Sequence, residues 1–527
     1  MRYFNTTGPV DARDHYCLPP LERLDLLHLL NLIRQKRYFV LHAPRQTGKT
    51  SCLFALRDHL NGSGDYRCVY LNVEMGQSAR DDVDAAMRAI LGELATWAEE
   101  ALDDAFVRRH WLEILDQHGP HGALAEILGR WSANDPRPLI LLVDEIDALV
   151  GDTLISVLRQ FRAGYVRRPA HFPQSVILCG VRDVRDYRIH SASNQAIITG
   201  GSAFNIKAES LRLGDFAAPD VTALFAQHTA DTGQIVEQDA LERIWHLTCG
   251  QPWLVNALGY EACFRLPEGL DRGRPITATL IQQAKENLIL RRDTHLDQLA
   301  DKLEEERVHR VVAPLLAGVE QATGFRKDDV AYAVDLGLIR QDIGGAIHIA
   351  NPIYQEVIPR ELSWDIQSGM SVQRTWYIDA DGRLNMAALL RGFQQFFREH
   401  SAHWVERFQY REAGPQLLLQ AYLQRVVNGG GRIEREYGLG RRRTDLLVIW
   451  PHSGGEQRIV LELKVRHRSL DETIREGLEQ TRDYLDTSGA EAGHLVIFDR
   501  TPDKPWEEKL FQREETLRGK TVSVWGM

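Results

Sequence analysis

Lys49 and Thr50 end the run APRQTGKT, residues 43–50, and Asp144 and Glu145 end the run LILLVDE, residues 139–145. An ammonium, a hydroxyl and two carboxylates at these places suit one chemistry: holding a polyphosphate with its cation and activating water beside it. Residues 38–42, YFVLH, read as a short buried strand, and residues 52–60, CLFALRDHL, have helical apolar spacing. The loop between them carries Pro44, Arg45, Gln46, Thr47, Gly48, Lys49, Thr50 and Ser51. It lies where backbone N–H groups and a helix N-terminus can surround phosphates. Lys49 would reach the β- and γ-phosphates of ATP, and Thr50 would ligate Mg²⁺. Ala43 stands where such loops usually carry their first glycine. The following Pro44 favours an extended residue there, which makes a small side chain tolerable.

Leu139 to Val143 read as a strand buried on both faces. At its end Asp144 would hold Mg²⁺ through water, and Glu145 would polarise the attacking water. A further strand, SVILCGVRD, residues 175–183, ends near Arg182. That side chain is placed either to sense the γ-phosphate or to make a surface salt bridge.

A second set of reactive groups lies far along the chain. In RIVLELKVRHR, residues 458–468, strand alternation puts Glu462 and Lys464 on one face and Leu461, Leu463 and Val465 on the other. One reading is an amphipathic strand with a charged solvent face. The sharper one brings in Asp445, at the start of the strand RTDLLVIW, 17 positions before Glu462. The loop SGGEQR turns one strand into the other, so the two carboxylates sit on adjoining strands and repel unless a cation binds them. Hard oxygen ligands suit Mg²⁺ or Mn²⁺. Lys464 can orient the attacking water or stabilise a pentavalent phosphorane. Arg435, Arg441, Arg442, Arg443, Arg466 and Arg468 cluster nearby, as a phosphate-positioning groove would need.

These groups need several domains to position them. A chain of 527 residues suggests three or four. Hydrophobic content of 44% and charged content of 26% fit globular domains with cores. A net charge of −10 argues against non-specific coating of nucleic acid, though not against a local basic groove. No two of the six cysteines have metal-ligand spacing, which suits reduced thiols in a cytoplasmic protein. No apolar core marks a signal peptide, and no apolar run is long enough to span a bilayer. Asp379-x-Asp381-Gly382 imitates a calcium loop, but Arg383 and Leu384 occupy ligand and glycine places, so a tight turn is expected.

The string LHAPRQTGKT…LILLVDEID…GVRD…GQPWLVN resembles the AAA+-related and STAND-type ATPases over roughly residues 1–360. That resemblance implies a glycine-x-proline motif that opens the lid helices, with Pro252 at the base of the nucleotide pocket. Residues 305–360 look like the winged helix that often follows such lids. Their helix KDDVAYAVDL is acidic, which favours packing over entering a DNA groove. Arg159, Arg162, Arg167 and Arg168 are candidates for an arginine finger, and none is singled out.

Residues 390–527 resemble the PD-(D/E)XK nuclease superfamily, with Asp445 followed by Glu462-Leu463-Lys464 as its E-x-K signature. By that resemblance Gln480 and Tyr484, four apart on one helix, fit a Q-x-x-x-Y motif. Glu412 takes the place of a first-helix glutamate that adds to the metal site. The expected fold class is α/β: a P-loop NTPase parallel sheet with helical lid and winged helix, followed by a restriction-endonuclease-like α/β domain. The expected divisions are residues 1–215 (ATPase core), 216–300 (lid), 301–362 (winged helix), 363–390 (linker and small hairpin) and 391–527 (nuclease-like domain).

The whole-chain order looks like prokaryotic ATPase–nuclease fusions linked to mobile elements or antiphage defence. It implies an ATP-regulated, Mg²⁺-dependent endonuclease, with DNA favoured over RNA, no membrane partner, and a homo-oligomer as one open assembly. The rival expectation is a STAND-like switch whose C-terminal fold binds nucleic acid without cutting it.

Overall fold

In the computed structural model the chain divides into two compact units. One is Met1–Arg291 with Asp335–Gly337, and the other is Arg292–Val334 with Leu338–Met527. The structure describes residues 1–182, 188–191, 196–199, 204–291, 302–303, 305–316, 325–342, 344–362, 376–407, 419–420, 422–423, 431–439, 442–466, 469–499, 501 and 504–527.

Five parallel strands form the centre of the first unit: β1 (Tyr38–His42), β2 (Arg67–Asn72), β3 (Leu139–Asp144), β4 (Ser175–Gly180) and β5 (Lys207–Arg212). Their order is β2-β3-β4-β1-β5. Side chains alternate between two covered faces. Val40, Val69, Leu141 and Val143 pack under the helices Val83–Leu102, Phe106–His118, Ala123–Ala133 and Gly151–Gly164. Phe39, Leu41, Tyr70 and Leu142 pack under Leu26–Arg34 and α1 (Lys49–Ser63). Burial on both faces is why β1, β3 and β4 read as nearly unbroken apolar runs, whereas the edge strand β5, KAESLR, is partly exposed. Because every strand runs the same way, the loops after β1, β3 and β4 leave from one edge, where ligands of open parallel sheets bind.

The helices Ala218–Thr232, Gln238–Thr248, α2 (Pro252–Phe264) and Ala278–Arg291 follow. The turn into α2 depends on Gly250, whose φ is +80°. A Cβ there would meet the Phe216 carbonyl oxygen at 2.0 Å, so only glycine fits. Pro252 then occupies the first helical turn, where its missing N–H costs nothing. Phe4 and Tyr16, from a two-residue parallel ladder near the N-terminus, pack their rings against His228 of the helix Ala218–Thr232.

The helix Lys327–Asp335, which belongs to the second unit up to Val334, precedes an antiparallel hairpin of that unit, Ile339–Gln341 with Ile347–Ile349, turned at Gly345 with φ +84°. Further on, Gly382 N–H donates to Asp379 O and the Asp379 carboxylate accepts from Asn385 Nδ2 at 2.9 Å. That stretch is therefore a tight turn.

A six-stranded mixed sheet follows: β6 (Arg432–Leu439), β7 (Arg442–His452), β8 (Gly455–Val465), β9 (Ala492–Phe498), β10 (Phe511–Leu517) and β11 (Lys520–Gly526), ordered β6-β7-β8-β9-β11-β10. β6, β7 and β8 are antiparallel, while β8, β9 and β11 are parallel. One face carries Leu446, Val448, Leu461 and Leu463 against Leu389, Leu390, Phe393 and Phe397 of the helix Met386–Arg407. The other carries Leu495, Ile497, Val522 and Val524 against α3 (Leu470–Ser488).

His494 is buried within this sheet, and its Nδ1 accepts from Trp525 Nε1 at 3.1 Å. That bond needs a neutral ring, and burial pulls the imidazole down to about 4. The unfolded chain takes up this proton near pH 6.5 and the folded chain only near 4. Stability from this residue is therefore full above pH 6.5 and is lost as pH falls through 4. Wild type should lose about 3 kcal/mol more than His494→Gln between pH 7 and 4 in urea unfolding. Parallel curves for the two proteins would exclude this role.

No described helix is long and apolar enough to cross a membrane.

Candidate functional site

The turn from β1 into α1 is set by two left-handed residues, Gln46 (φ +57°) and Gly48 (φ +88°). Thr47 Oγ1 closes the loop by donating to Pro44 O at 2.8 Å. Lys49 is buried, and its Nζ donates to Ala43 O and Pro44 O, both at 3.0 Å. The ammonium thus lies folded across the mouth of its own loop, bonded to groups that a phosphate oxygen could replace.

Thr50 Oγ1 donates to Asp144 Oδ2 at 2.7 Å, which brings together the two residues expected to share a cation. The Tyr70 hydroxyl donates to the same oxygen at 3.0 Å, and Glu145 N–H donates to Asp144 Oδ1 at 3.0 Å. Burial, then the Asp144 charge, push the Tyr70 phenol well up, so it stays a donor. Glu145 itself sits at φ +54°. Burial and the neighbouring Asp147 raise its carboxyl above the usual carboxylate range, toward what a general base needs.

Asp147 Oδ1 accepts from Val181 N–H at 3.0 Å. A Cβ on Gly180 would stand 2.4 Å from that oxygen, so glycine there lets the loop after β3 tie down the end of β4. Arg182 follows immediately and lies 3.4 Å from Asp335, a residue of the same unit. Arg45 is exposed, and Ser51 Oγ accepts from Val10 N–H at 3.1 Å.

A cleft opens beside the loop, with about 690 Å³ of empty space when the solvent at its mouth is counted in. Gln46, Thr47, Gly48, Ser51, Pro252 and Asn256 help to line it, together with the N-terminal segment from Asn5 to Val10. Arg23 braces it, donating to Thr47 O at 2.6 Å and Gly214 O at 2.7 Å. Tyr70, Arg23, Asp147 and the N-terminal segment are the parts that sequence reading missed. Each acts through a partner remote in sequence, and no local pattern marks it.

In the second unit, Glu462 and Lys464 both face α3, since their β9 partners Leu495 and Ile497 pack against that helix. Glu462 is 2% exposed, and Lys464 Nζ donates to its Oε1 at 2.7 Å. The ladder pairs Leu446 with Leu461, so its next step sets Asp445 opposite Glu462 along the backbone. The Asp445 side chain and all of Glu412 lie outside the described residues, as do the side chains of Arg435 and Arg441 to Arg443 and all of Arg468. Among the described residues, no group of three or more His, Cys, Asp and Glu converges as metal ligands.

Tyr484 is buried against Leu447, Ile449 and Val460, whereas Gln480 is exposed. The two share a helix side by spacing but differ in burial. Arg466 is engaged by Asp499 at 2.7 Å. Burial alone would raise Asp499, but bonds from Lys504, Thr501 and Arg466 hold it below the usual carboxylate range.

A strand, a glycine-containing loop and a helix at the C-terminal edge of a parallel sheet, with a buried aspartate at the end of β3, make the first unit an α/β fold consistent with a P-loop NTPase domain. No protein-family model matches the chain, and no curated protein matches it. Among solved structures it is similar to the Walker-type ATPase of Pyrococcus abyssi, at 13% identity over 67% of this chain and 99% of that one, with a TM-score of 0.45. It is also similar to Cdc6p of Pyrobaculum aerophilum, at 16% identity over 68% and 96%, with a TM-score of 0.36. A third likeness is to the RuvB Holliday-junction branch-migration motor of Thermotoga maritima, at 14% identity over 63% and 92%, with a TM-score of 0.33.

Proposed function

We propose that the first unit binds and hydrolyses ATP and that its nucleotide state controls a DNA endonuclease in the second. The observation that carries the first part is the meeting of Lys49, Thr50 and Asp144 at one sheet edge, with Thr50 and Asp144 in contact at 2.7 Å. A hydroxyl and a carboxylate this close, at a helix N-terminus, fit a Mg²⁺–phosphate pair. Thr50 and Asp144 would hold Mg²⁺, which supplies charge neutralisation between the phosphates. Lys49 exchanges its two loop carbonyls for β- and γ-phosphate oxygens. Tyr70 keeps Asp144 oriented. Glu145, its proton affinity raised by burial, takes the proton of the attacking water.

For the second unit, the Asp445–Glu462 register and the Glu462–Lys464 pair support a PD-(D/E)XK-type site. Asp445 and Glu462, with Glu412, would hold Mg²⁺ or Mn²⁺, and Lys464 would position water against the scissile phosphate. The rival switch, which binds nucleic acid without cutting, is favoured by one observation: Glu462 is closed off and already bonded to Lys464.

One experiment separates these readings. The full chain is incubated with supercoiled plasmid and Mg²⁺ or Mn²⁺, with and without ATP, and released phosphate is measured in the same tubes. Phosphate release with nicked or linear plasmid is expected. Phosphate release with intact plasmid under both ions selects the switch. No phosphate release at all removes the ATPase assignment.

A further inference from the structure

The phosphate loop says nothing about which base is bound. The cleft beside it does. Its walls are largely apolar, from Tyr16, Phe216, Leu224, Pro252 and Trp253, as suits a flat ring. Most of its polar groups are already used. Asn5 Nδ2 donates to Gly8 O and Pro9 O, Trp253 Nε1 donates to Thr6 O at 2.9 Å, and Arg23 holds Thr47 O.

Asn256 differs. It is 8% exposed and lines the cleft one helical turn after Pro252. Its Nδ2 donates to Pro252 O at 2.9 Å. Only the amide nitrogen can donate to a carbonyl, so this bond fixes which way the carboxamide points. Its Oδ1 is buried and accepts no hydrogen bond among the described residues. An unsatisfied acceptor buried in the wall of a ligand cleft calls for a donor on the ligand.

The geometry points to Asn256 as the residue that selects adenine: its Oδ1 accepts a hydrogen bond from the exocyclic amine at C6 of the purine. Guanine carries a carbonyl at C6, which would set two acceptors against each other. The site therefore takes adenosine triphosphate and rejects guanosine triphosphate. This inference rests on the nucleotide reading given above and adds to it the determinant of base choice.

The test is calorimetric titration of the full chain with ATP, GTP and purine riboside triphosphate, which lacks the amine at C6. Wild type should bind ATP about fivefold to tenfold more tightly than the amine-free analogue, the difference one net hydrogen bond makes. GTP should bind more weakly still. In Asn256→Leu, and in Asn256→Ser as a second variant, the ATP-to-analogue ratio should fall close to one while binding of the analogue is retained. Equal wild-type affinities for ATP and the analogue would overturn the assignment and leave the nucleotide site standing. So would an unchanged ratio in both variants. Failure of every triphosphate to bind would overturn the nucleotide reading and this inference together. The wild-type comparison needs no variant, so it stands even if one of them does not fold.

Discussion

Replacing Lys49 by alanine is expected to lower ATP turnover by about 10²–10³-fold, the loss usual when one preorganised charge donor is removed from a transition state. Lys49 is the cation that the loop itself carries into its centre, bonded to Ala43 O and Pro44 O. Phosphoryl transfer depends on positioning and charge stabilisation more than on covalent chemistry, so losing that cation touches the main term. The substitution also frees two carbonyls, and the nucleotide-free melting temperature should be followed beside turnover. A fall in turnover with little change in melting separates catalysis from folding. Turnover within threefold of wild type would remove Lys49 from the reaction.

The second large effect is expected at Glu462. Glu462→Gln keeps the volume of a nearly closed side chain and removes its charge, so packing against α3 should survive. Divalent-ion-dependent plasmid cutting should fall by about 10²-fold or more, since a carboxylate ligand is lost from the proposed ion site. Lys464→Met should act in the same direction, because Lys464 donates to Glu462 Oε1 at 2.7 Å and would stand beside the reacting phosphate. Cutting that persists at wild-type rates in both variants would move the hydrolytic site elsewhere in the chain or to a contaminant.

Much of this arrangement was legible in the residues alone. YFVL, LILLV and VILC are unbroken apolar runs, as strands covered on both faces require, and they make up the bodies of β1, β3 and β4. The glycine and proline of TCGQPW fall where a left-handed turn meets a helix start, which φ +80° at Gly250 requires. Alternation in β8 placed Glu462 and Lys464 together, and the distance between them follows.

What was not legible depended on register and distance in the chain. Tyr70 looks like one more apolar strand residue until the pairing of Asn72 with Asp144 sets β2 beside β3 and its hydroxyl reaches the carboxylate. Arg23 and the segment Asn5–Val10 carry no motif, and only folding brings them against the loop. Gln480 and Tyr484 show the converse. Spacing put them on one side of a helix, but the sheet covers only Tyr484.

Arg23 makes two remote stretches into one mechanical piece. Its guanidinium grips the Thr47 carbonyl with one nitrogen and the Gly214 carbonyl with another. A phosphate that tugs on the loop therefore either pulls residue 214 along or breaks a charge-assisted bond. Strain imposed at the triphosphate tail has a ready lever arm toward the helices that begin at Ala218.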